Sequence, residues 1–253
     1  MTDQVKRPRP RYDEGCLAAH ALNVIGDRWA LLVVRELMFA PKRFQMIRAG
    51  LPGVTASVLT GRLAQLVQAG TIDHNDRLGI YALTDLGRGL LPVLEALCQW
   101  ALTMPGHDPK RFISPSALMI SMGVNLQRDL IAGKTFVAGF DLGTESFDMR
   151  LADGVLRTTA ARPPDTPFLL RGTGNTLAIA VYGAHPLSDL MSQGVVTAEG
   201  DVDSATEFLS LFRLAPQPYH HRVCKWAPRS GFLSLRTNVR GLMEIRASSD
   251  VSS

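Results

Sequence analysis

The segment from Arg43 to Gly70, with the sequence RFQMIRAGLPGVTASVLTGRLAQLVQAG, decides the fold of this chain. Its first residues, 43–49, have the apolar spacing of a short helix. The Pro52-Gly53 pair then predicts a tight turn, and Thr55 is a typical N-cap for a second helix that ends at Gly70. Two helices joined by so short a turn are typical of a helix-turn-helix.

The flanking residues predict the remaining parts of a winged helix domain. Asp27 is a suitable N-cap for a helix that ends at the Ala40-Pro41 pair. Residues 71–83 contain two short apolar strands around a polar tip, which predicts a β-hairpin, the wing. Thr84 then caps a long apolar helix, which we expect to bend at Pro92, where the proline ring removes one backbone hydrogen bond.

Breaks in these patterns divide the chain into three predicted domains, 1–105, 106–215 and 216–253. The second begins after a linker that contains proline and glycine, where Ser114 and Pro115 predict a helix start. We expect that helix to reach about Gly133. Further strands are predicted at 136–142, 147–151, 155–159, 168–171 and 195–199, with a hairpin turn at Asp153-Gly154. Further helices are predicted at 175–182, 187–191 and 204–214. This order predicts an α+β fold with a mainly antiparallel sheet, followed by a basic tail without predicted structure.

Composition narrows the classes of function. The chain has 253 residues, of which 46% are apolar and 20% charged, so it is long and apolar enough for two domains. No apolar run reaches the roughly 20 residues of a membrane span, and no export signal is recognisable, so we expect a cytoplasmic protein without a membrane partner. The first and last predicted domains are net positive, and these parts are the ones able to meet a polyanion.

Motifs for catalysis or metal binding are missing from the sequence. The three cysteines lie far apart, at Cys16, Cys98 and Cys224. The pair His220-His221 near the last of them matches no recurring metal spacing. No catalytic elbow, zinc helix or phosphate-binding glycine loop is present, and Asp141, Glu145 and Asp148 are of the kind usually solvated on strands and turns. We therefore expect no enzyme activity, no cofactor and no bound metal.

The first 90 residues or so carry a family resemblance. Its motifs are Ile25-Gly26-Asp27-Arg28-Trp29, Arg35-Glu36-Leu37, Arg43-Phe44, Leu51-Pro52-Gly53-Val54, Arg62-Leu63 and Tyr81-Ala82-Leu83-Thr84. They resemble the HxlR-type branch of the MarR-like regulators, which implies a homodimeric winged helix that recognises operator DNA. This chain departs from the family in its short wing with Asp73 and Asp76, and in Ala40, where the family usually has glycine.

The second predicted domain is similar to sterol carrier protein type 2 domains. The likeness rests on the order of elements and on the Glu199-Gly200-Asp201 turn before the last helix. It implies an α/β sterol-carrier-like domain with an apolar tunnel, and hence a lipid or another hydrophobic small molecule as ligand.

The second helix of the helix-turn-helix supplies the candidate DNA contacts. Its expected core residues are Val58, Leu59, Leu63, Leu66 and Val67. The side chains left outward are small or hydrogen-bonding, as entry into a major groove about 12 Å wide requires. We predict that Ser57 and Thr60 approach base edges or phosphates and that Gly61 permits close approach. Arg62 is the expected strongest single contact, with a structural pair to Glu36 or a helix end as the alternative.

Three further cationic features are candidate contacts with DNA. Arg43, at a helix N-terminus, suits a phosphate. Arg77 at the wing tip suits the minor groove, and the basic arm 6–11 could lie along the duplex. Each has a plain alternative, a solvated side chain or chain end.

Cys16 occupies the position at which some members of the family carry a redox-responsive thiol. It is therefore a candidate redox sensor, provided that a helix N-terminus or a nearby cation lowers the pKa of its thiol. The alternative is a buried, inert cysteine.

Together these features predict a dimeric, sequence-specific, DNA-binding transcriptional regulator, with repression favoured over activation. Double-stranded operator DNA is the expected partner, and the helices within 15–25 and 84–100 are the expected homodimer contacts. A hydrophobic small molecule in the second domain is the expected effector. The alternative is a carrier of lipid or another hydrophobic ligand that uses the winged helix as a dimerisation module.

Overall fold

The computed structural model describes residues 12–161 and 165–214, all within one compact unit. The basic arm 6–11, the predicted tail 216–253 and the residues His220, His221 and Cys224 lie outside the described residues. In the described part, no single helix is long and apolar enough to cross a bilayer. The first two helices reach that length and apolarity only as a pair, bent by 75°.

Residues 17–101 fold as a winged helix. Its helices are α1 (Leu17–Ile25), α2 (Ala30–Leu37), α3 (Phe44–Ala49), α4 (Ala56–Gln68), α5 (Asp85–Arg88) and α6 (Leu91–Ala101). Its strands are β1 (Lys42–Arg43), β2 (Ile72–Asn75) and β3 (Ile80–Leu83), in the order β1-β3-β2 and antiparallel throughout. The predicted helix-turn-helix and wing are confirmed, whereas β1 lies where the sequence predicts the start of a helix.

The predicted caps around α4 are confirmed. Thr55 Oγ1 accepts a hydrogen bond from the Val58 amide at 3.3 Å, which satisfies one free N–H of the first turn. Gly70 adopts a φ of +69°, a left-handed conformation that favours glycine, so the chain turns sharply from α4 into β2.

The predicted long helix after Thr84 is wrong in part. Thr84 does cap a helix, because its Oγ1 accepts from the Gly87 amide at 3.2 Å. That helix, α5, ends after one turn, and α6 starts separately at Leu91 with Pro92 in its first turn. Proline has no N–H to donate to the carbonyl four residues earlier, but it is well tolerated at a helix start. The helix is therefore interrupted before Pro92 instead of continuing through it with a bend.

Residues 115–210 form the second half of the compact unit. Its helices are α7 (Pro115–Asn125), α8 (Gly174–Tyr182), α9 (Leu187–Ser192) and α10 (Val202–Ser210). Its strands are β4 (Phe136–Asp141), β5 (Ser146–Ala152), β6 (Val155–Ala160), β7 (Phe168–Arg171) and β8 (Thr197–Gly200). They form a sheet in the order β6-β5-β4-β7-β8, in which only the pair β4 and β7 is parallel. The predicted α+β fold with a mainly antiparallel sheet is confirmed.

The predicted turn and helix ends in this half are confirmed only in part. Asp153 and Gly154 both have positive φ, 51° and 72°, as a two-residue hairpin turn between β5 and β6 requires. The predicted helix from Ser114 ends at Asn125, not near Gly133, because the next residue is extended and forms a bridge with Phe212. The last helix begins at Val202, capped by Asp201, rather than at 204.

Helix α7 belongs to two hydrophobic cores. Leu118, Met119 and Met122 are buried in the core beneath the five-stranded sheet. Ile120 and Val124, from the other side of the same helix, are buried in the core of the winged helix. The two halves of the described chain therefore share one buried element, and we expect them to unfold together.

Because α7 is buried in both cores, we expect substitutions in either core to destabilise the whole described unit. Ile120→Ala and Met119→Ala each remove a buried side chain from a different core, at a cost of about 2–5 kcal/mol. Differential scanning calorimetry should show both variants lowering the midpoint of the same cooperative transition. The exposed Ile179 provides the control, since Ile179→Ala should shift the midpoint little. Two separate transitions, each moved by only one variant, would contradict a shared core.

Candidate nucleic-acid interface

Helix α4 presents a slim, uncharged outer face. Ser57, Thr60 and Gly61 are exposed, as the sequence predicts, while Leu59, Leu63 and Leu66 are buried. Apart from its chain neighbours and the backbone of α4 itself, a Cβ built on Gly61 would meet no atom within 4 Å. The face therefore has hydrogen-bonding side chains of small size and open space at its centre, which is the shape that a groove-entering helix requires.

Two valines of α4 are placed differently from the prediction. Val58 is 41% exposed, and Val67 is also exposed, although both are expected in the core. Each is adjacent in sequence to a core leucine, and one residue of an α-helix rotates the side chain by about 100°, away from the buried stripe. Val58 thus adds an apolar methyl surface to the first turn of α4, where recognition helices contact base edges.

Arg62 points into the protein, contrary to the expected outward guanidinium. It is 3% exposed, forms an ion pair with Asp27 and donates to Gln65 on the next turn of α4. Asp27 in turn accepts from the Trp29 amide at 2.9 Å, so it also orients the start of α2. The prediction that Asp27 is the N-cap of this helix is wrong, because the N-cap residue is Trp29, two residues later. The structural alternative from the sequence is closer to this placement, but the partner is Asp27 and not Glu36.

Two exposed arginines lie beside the small sheet of the wing. Arg43 is the N-cap residue of α3 and pairs through β1 with Ile80 of β3. Arg77 lies in the exposed tip between β2 and β3. The same wing carries exposed Asp73 and Asp76, so its electrostatic attraction for a polyanion is weaker than that of an all-basic wing.

Lys42 is a buried cation that the sequence analysis did not identify. Its ammonium group is 1% exposed and donates to Glu145 Oε1 at 2.7 Å, to Ser116 Oγ at 3.0 Å and to Glu36 Oε2 at 3.4 Å. Glu36, itself fully buried, also accepts from Arg35 Nη2 at 2.7 Å and from Ser114 Oγ at 2.6 Å. We call this set of six side chains the junction network, because it joins the winged helix to the second half of the chain.

Local sequence gives little sign of this network. Lys42 follows a proline and precedes another cation, a context typical of a solvated turn. Its partners are up to 103 residues away along the chain. Gly50 is a weak signal, since a Cβ there would come within 2.1 Å of Glu36 Oε2, and so the network needs glycine at this position.

Cys16 is exposed at the N-cap position of α1, so the alternative of a buried cysteine is wrong. Hydrogen bonds from the backbone amides of Ala19 and Ala18 lower the pKa of its thiol. Cys98 differs, because burial raises the pKa of its thiol. The two cysteines therefore differ in the property that controls thiol reactivity, the fraction of thiolate.

This difference gives a reactivity prediction. Near neutral pH, iodoacetamide should modify Cys16 well before Cys98, and the midpoint of Cys16 alkylation against pH should lie below the ordinary thiol pKa of about 8.5. Peptide mass spectrometry of timed samples measures both rates. Unfolding in urea serves as the control. It breaks the hydrogen bonds from the amides of α1 and exposes both thiols, so the two alkylation rates should become equal. Equal rates in the folded protein would show that α1 does not activate Cys16.

The helices α1 and α6 carry apolar side chains that are exposed in the single chain. The largest of them are Leu17, Leu22, Val93, Leu97 and Trp100. These are the two helices from which the sequence predicts homodimer contacts. Large apolar side chains exposed on two helices are candidates for burial in a protein interface.

Two sequence families match the chain, one on each half. The profile of the HxlR-like helix-turn-helix family matches residues 24–108, and that of the alkyl sulfatase C-terminal family matches residues 107–220. The second family is not the sterol carrier protein type 2 domain named from the sequence, so that finer likeness stays a prediction. The division at 105 and 106 likewise stays a prediction.

Solved structures similar to the chain include two regulators. Quinone-bound YodB of Bacillus subtilis is 31% identical, with a TM-score of 0.32, over 34% of this chain and 97% of that protein. The redox regulator HypR in its oxidized form is 26% identical, with a TM-score of 0.33, over 36% of this chain and 100% of that one.

Curated relatives match the N-terminal part of the chain. An uncharacterized HTH-type transcriptional regulator of Methanothermobacter thermautotrophicus is 32% identical over 98 residues, which are 37% of this chain and 75% of that protein. YvaP of Bacillus subtilis is 32% identical over 36% of this chain and 84% of that protein. A regulator of Mycobacterium tuberculosis is 35% identical over 34% of this chain, which spans only 58% of that relative. From these matches and the winged helix of residues 17–101, the chain belongs to the HxlR-like helix-turn-helix family of transcriptional regulators.

Proposed function

We propose that the protein is a homodimer that binds a pseudo-palindromic operator by inserting α4 into the major groove. The observation that carries this proposal is the outer face of α4, which is exposed, narrow and free of bulky side chains around Gly61. Ser57 and Thr60 supply hydrogen bonds to base edges or phosphates, and the exposed Val58 supplies an apolar contact suited to a thymine methyl group.

Cationic residues have two different roles in this proposal. Arg43 and Arg77 contact the phosphate backbone or the minor groove on either side of α4, because both are exposed beside the wing. Arg62, predicted from sequence as the strongest DNA contact, acts instead through Asp27, since its buried guanidinium holds α4 against the start of α2. Phosphate contacts of the first kind set affinity and register rather than sequence preference.

The dimer forms through α1 and α6, whose apolar side chains are exposed in the single chain. In this arrangement the two α4 helices meet half-sites about one helical turn, or 34 Å, apart. The second half of the chain senses a hydrophobic small molecule and thereby changes the operator affinity, with repression as the favoured output. Such regulation requires that the ligand bind one dimer geometry more tightly than the other.

Cys16 supports a second, redox-dependent input. Its thiol is exposed, and its pKa is lowered by the amides at the start of α1, the helix proposed to form part of the dimer interface. Oxidation of its thiolate by a peroxide, which is itself reduced to water or an alcohol, gives a sulfenic acid at the interface, and this change alters the spacing of the two recognition helices.

A footprint of the purified protein on the DNA upstream of its own gene tests the main proposal. We expect protection of two half-sites with one dyad, and binding that weakens steeply as salt rises. Weak binding that is indifferent to sequence would instead favour a carrier protein that uses the winged helix only for dimerisation.

Gly61 allows a sharp test of groove entry. Gly61→Leu should weaken operator binding about tenfold or more, or at least 1.4 kcal/mol, because a branched side chain fills the space that the DNA needs. Gly61→Ala is the matched control. It should bind nearly normally and stabilise the helix by about 0.5–1 kcal/mol, since alanine loses less chain entropy than glycine. Unchanged binding by Gly61→Leu in a gel-shift titration would rule out entry by this face.

Arg43 tests the phosphate contacts independently. Arg43→Ala should weaken binding to all DNA sequences by a similar factor and reduce the slope of log affinity against log salt by about 1. Arg48→Ala removes a neighbouring exposed cation of α3 at the end away from the wing, and it should change the slope less. A loss confined to one DNA sequence would contradict a phosphate role for Arg43.

A further inference from the structure

A cleft lies between the helix-turn-helix and the start of the second half of the chain. It has a volume of about 260 Å³. One wall comes from α2 and the turn between α3 and α4, and the other from the linker and the first turn of α7. The lining residues are Trp29, Leu32, Arg35, Gly50, Leu51, Pro52, Phe112, Ile113, Ser114 and Ala117.

The walls of this cleft suit a flat apolar molecule. Trp29 and Phe112 supply aromatic surface from the two walls, and Leu32, Leu51 and Ile113 supply aliphatic surface. An apolar cavity of about 150 Å³ holds benzene, so a cleft of this size accommodates one or two fused rings. Phe112 is 53% exposed, which is unusual for a phenylalanine and leaves its ring available to a ligand.

The lining of the cleft includes one cationic side chain. Among the described residues that line it, only Arg35 is ionised, and 21% of its side chain is exposed, whereas its partner Glu36 is buried behind it. Arg35 bonds Glu36 Oε1 through Nε and Nη2, and the carbonyl of Gly50 through Nη2. The remaining nitrogen, Nη1, has donors available for an oxygen of a ligand.

The cleft is placed to act on the recognition helix. Gly50, Leu51 and Pro52 lie between α3 and α4, so a ligand in the cleft touches the segment that sets the position of α4. The opposite wall is fixed to the second half, because Asn175 donates to the Arg111 carbonyl at 2.8 Å and accepts from the Ile113 amide at 3.2 Å. A molecule bound in the cleft therefore contacts both the wall that Asn175 holds in place and the turn that positions α4.

We infer that this cleft is an effector site for a small aromatic molecule of one or two rings with an anionic oxygen group, the rings lying between Trp29 and Phe112 and the anion meeting Arg35. Its occupancy shifts the turn before α4 and so changes operator affinity. The regulatory part of this inference rests on the proposed DNA-binding function, whereas the binding site itself does not.

Calorimetric titration of the full chain with 2-naphthoate tests the site. We expect saturable binding, and binding about tenfold or more weaker for the neutral alcohol 2-naphthalenemethanol, which lacks the charge for Arg35. Phe112→Ala should weaken 2-naphthoate binding by about two- to tenfold through loss of one ring contact. Leu130→Ala, which removes an exposed apolar side chain away from the cleft, is the matched control and should bind normally.

A variant that fills the cleft tests whether naphthoate binds there. Ala117→Leu occupies the cleft from α7 and should abolish naphthoate binding, while thermal unfolding shows whether the fold is intact. If Ala117→Leu proves unstable, Phe112→Ala decides alone, since its side chain is half exposed and its removal costs the fold little. No binding by the wild type, equal binding by Phe112→Ala, or equal binding of the neutral alcohol would overturn the assignment.

The DNA arm of the experiment separates this inference from the proposed function. Saturating naphthoate should change operator affinity by some factor, and operator DNA should change naphthoate affinity by the same factor, because coupling between two binding sites is reciprocal. Operator binding that naphthoate leaves unchanged overturns the regulatory role of the cleft but not the operator function. Naphthoate binding in a protein that binds no DNA supports the site and overturns the operator function.

Discussion

The buried pair of Glu36 and Lys42 is the interaction on which the arrangement of this protein depends. Removing two charges from water is costly, and the cost is offset only where each charge has close partners of the opposite sign and further hydrogen bonds. Here Arg35, Ser114, Ser116 and Glu145 complete that set. Ser116 and Glu145 come from the second half of the chain, and Ser114 is the N-cap of its first helix. The winged helix therefore cannot separate from the second half without leaving buried charges unpaired.

Helix α2 connects this constraint to the DNA-facing helix. At its start, Asp27 accepts a hydrogen bond from the Trp29 amide and pairs with Arg62 of α4, and at its end Glu36 holds the junction network. The proposed effector cleft lies along the same helix, between these two points. Because α7 is packed into both cores, a displacement on one side of the junction is opposed by buried contacts on the other. A small ligand at the junction can thus influence α4 without a large rearrangement.

Local chemistry made much of the fold predictable. N-caps such as Thr55, Thr84 and Ser114 and the left-handed Gly70 act within one turn of the chain, so the residues that specify them are neighbours in sequence. The strands of the second half were recognisable from alternation and from the Asp153-Gly154 turn. The exposure of Ser57, Thr60 and Gly61 followed from helix periodicity alone, because the leucines of α4 define its buried side.

The sequence by itself determined the helix-turn-helix, the wing and the mainly antiparallel sheet, since caps, periodicity and turns are encoded by residues a few positions apart. Only the tertiary structure decided that Arg62 turns inward, that Lys42 is buried and that a cleft opens beside the turn. Arg62 finds Asp27 35 residues earlier, and Lys42 finds Glu145 103 residues later. The side chain of a cation looks the same in sequence whether it meets water, DNA or a carboxylate. Which of these it meets is fixed by the packing of distant elements, and this is why the environment of each charge was beyond the reach of local pattern.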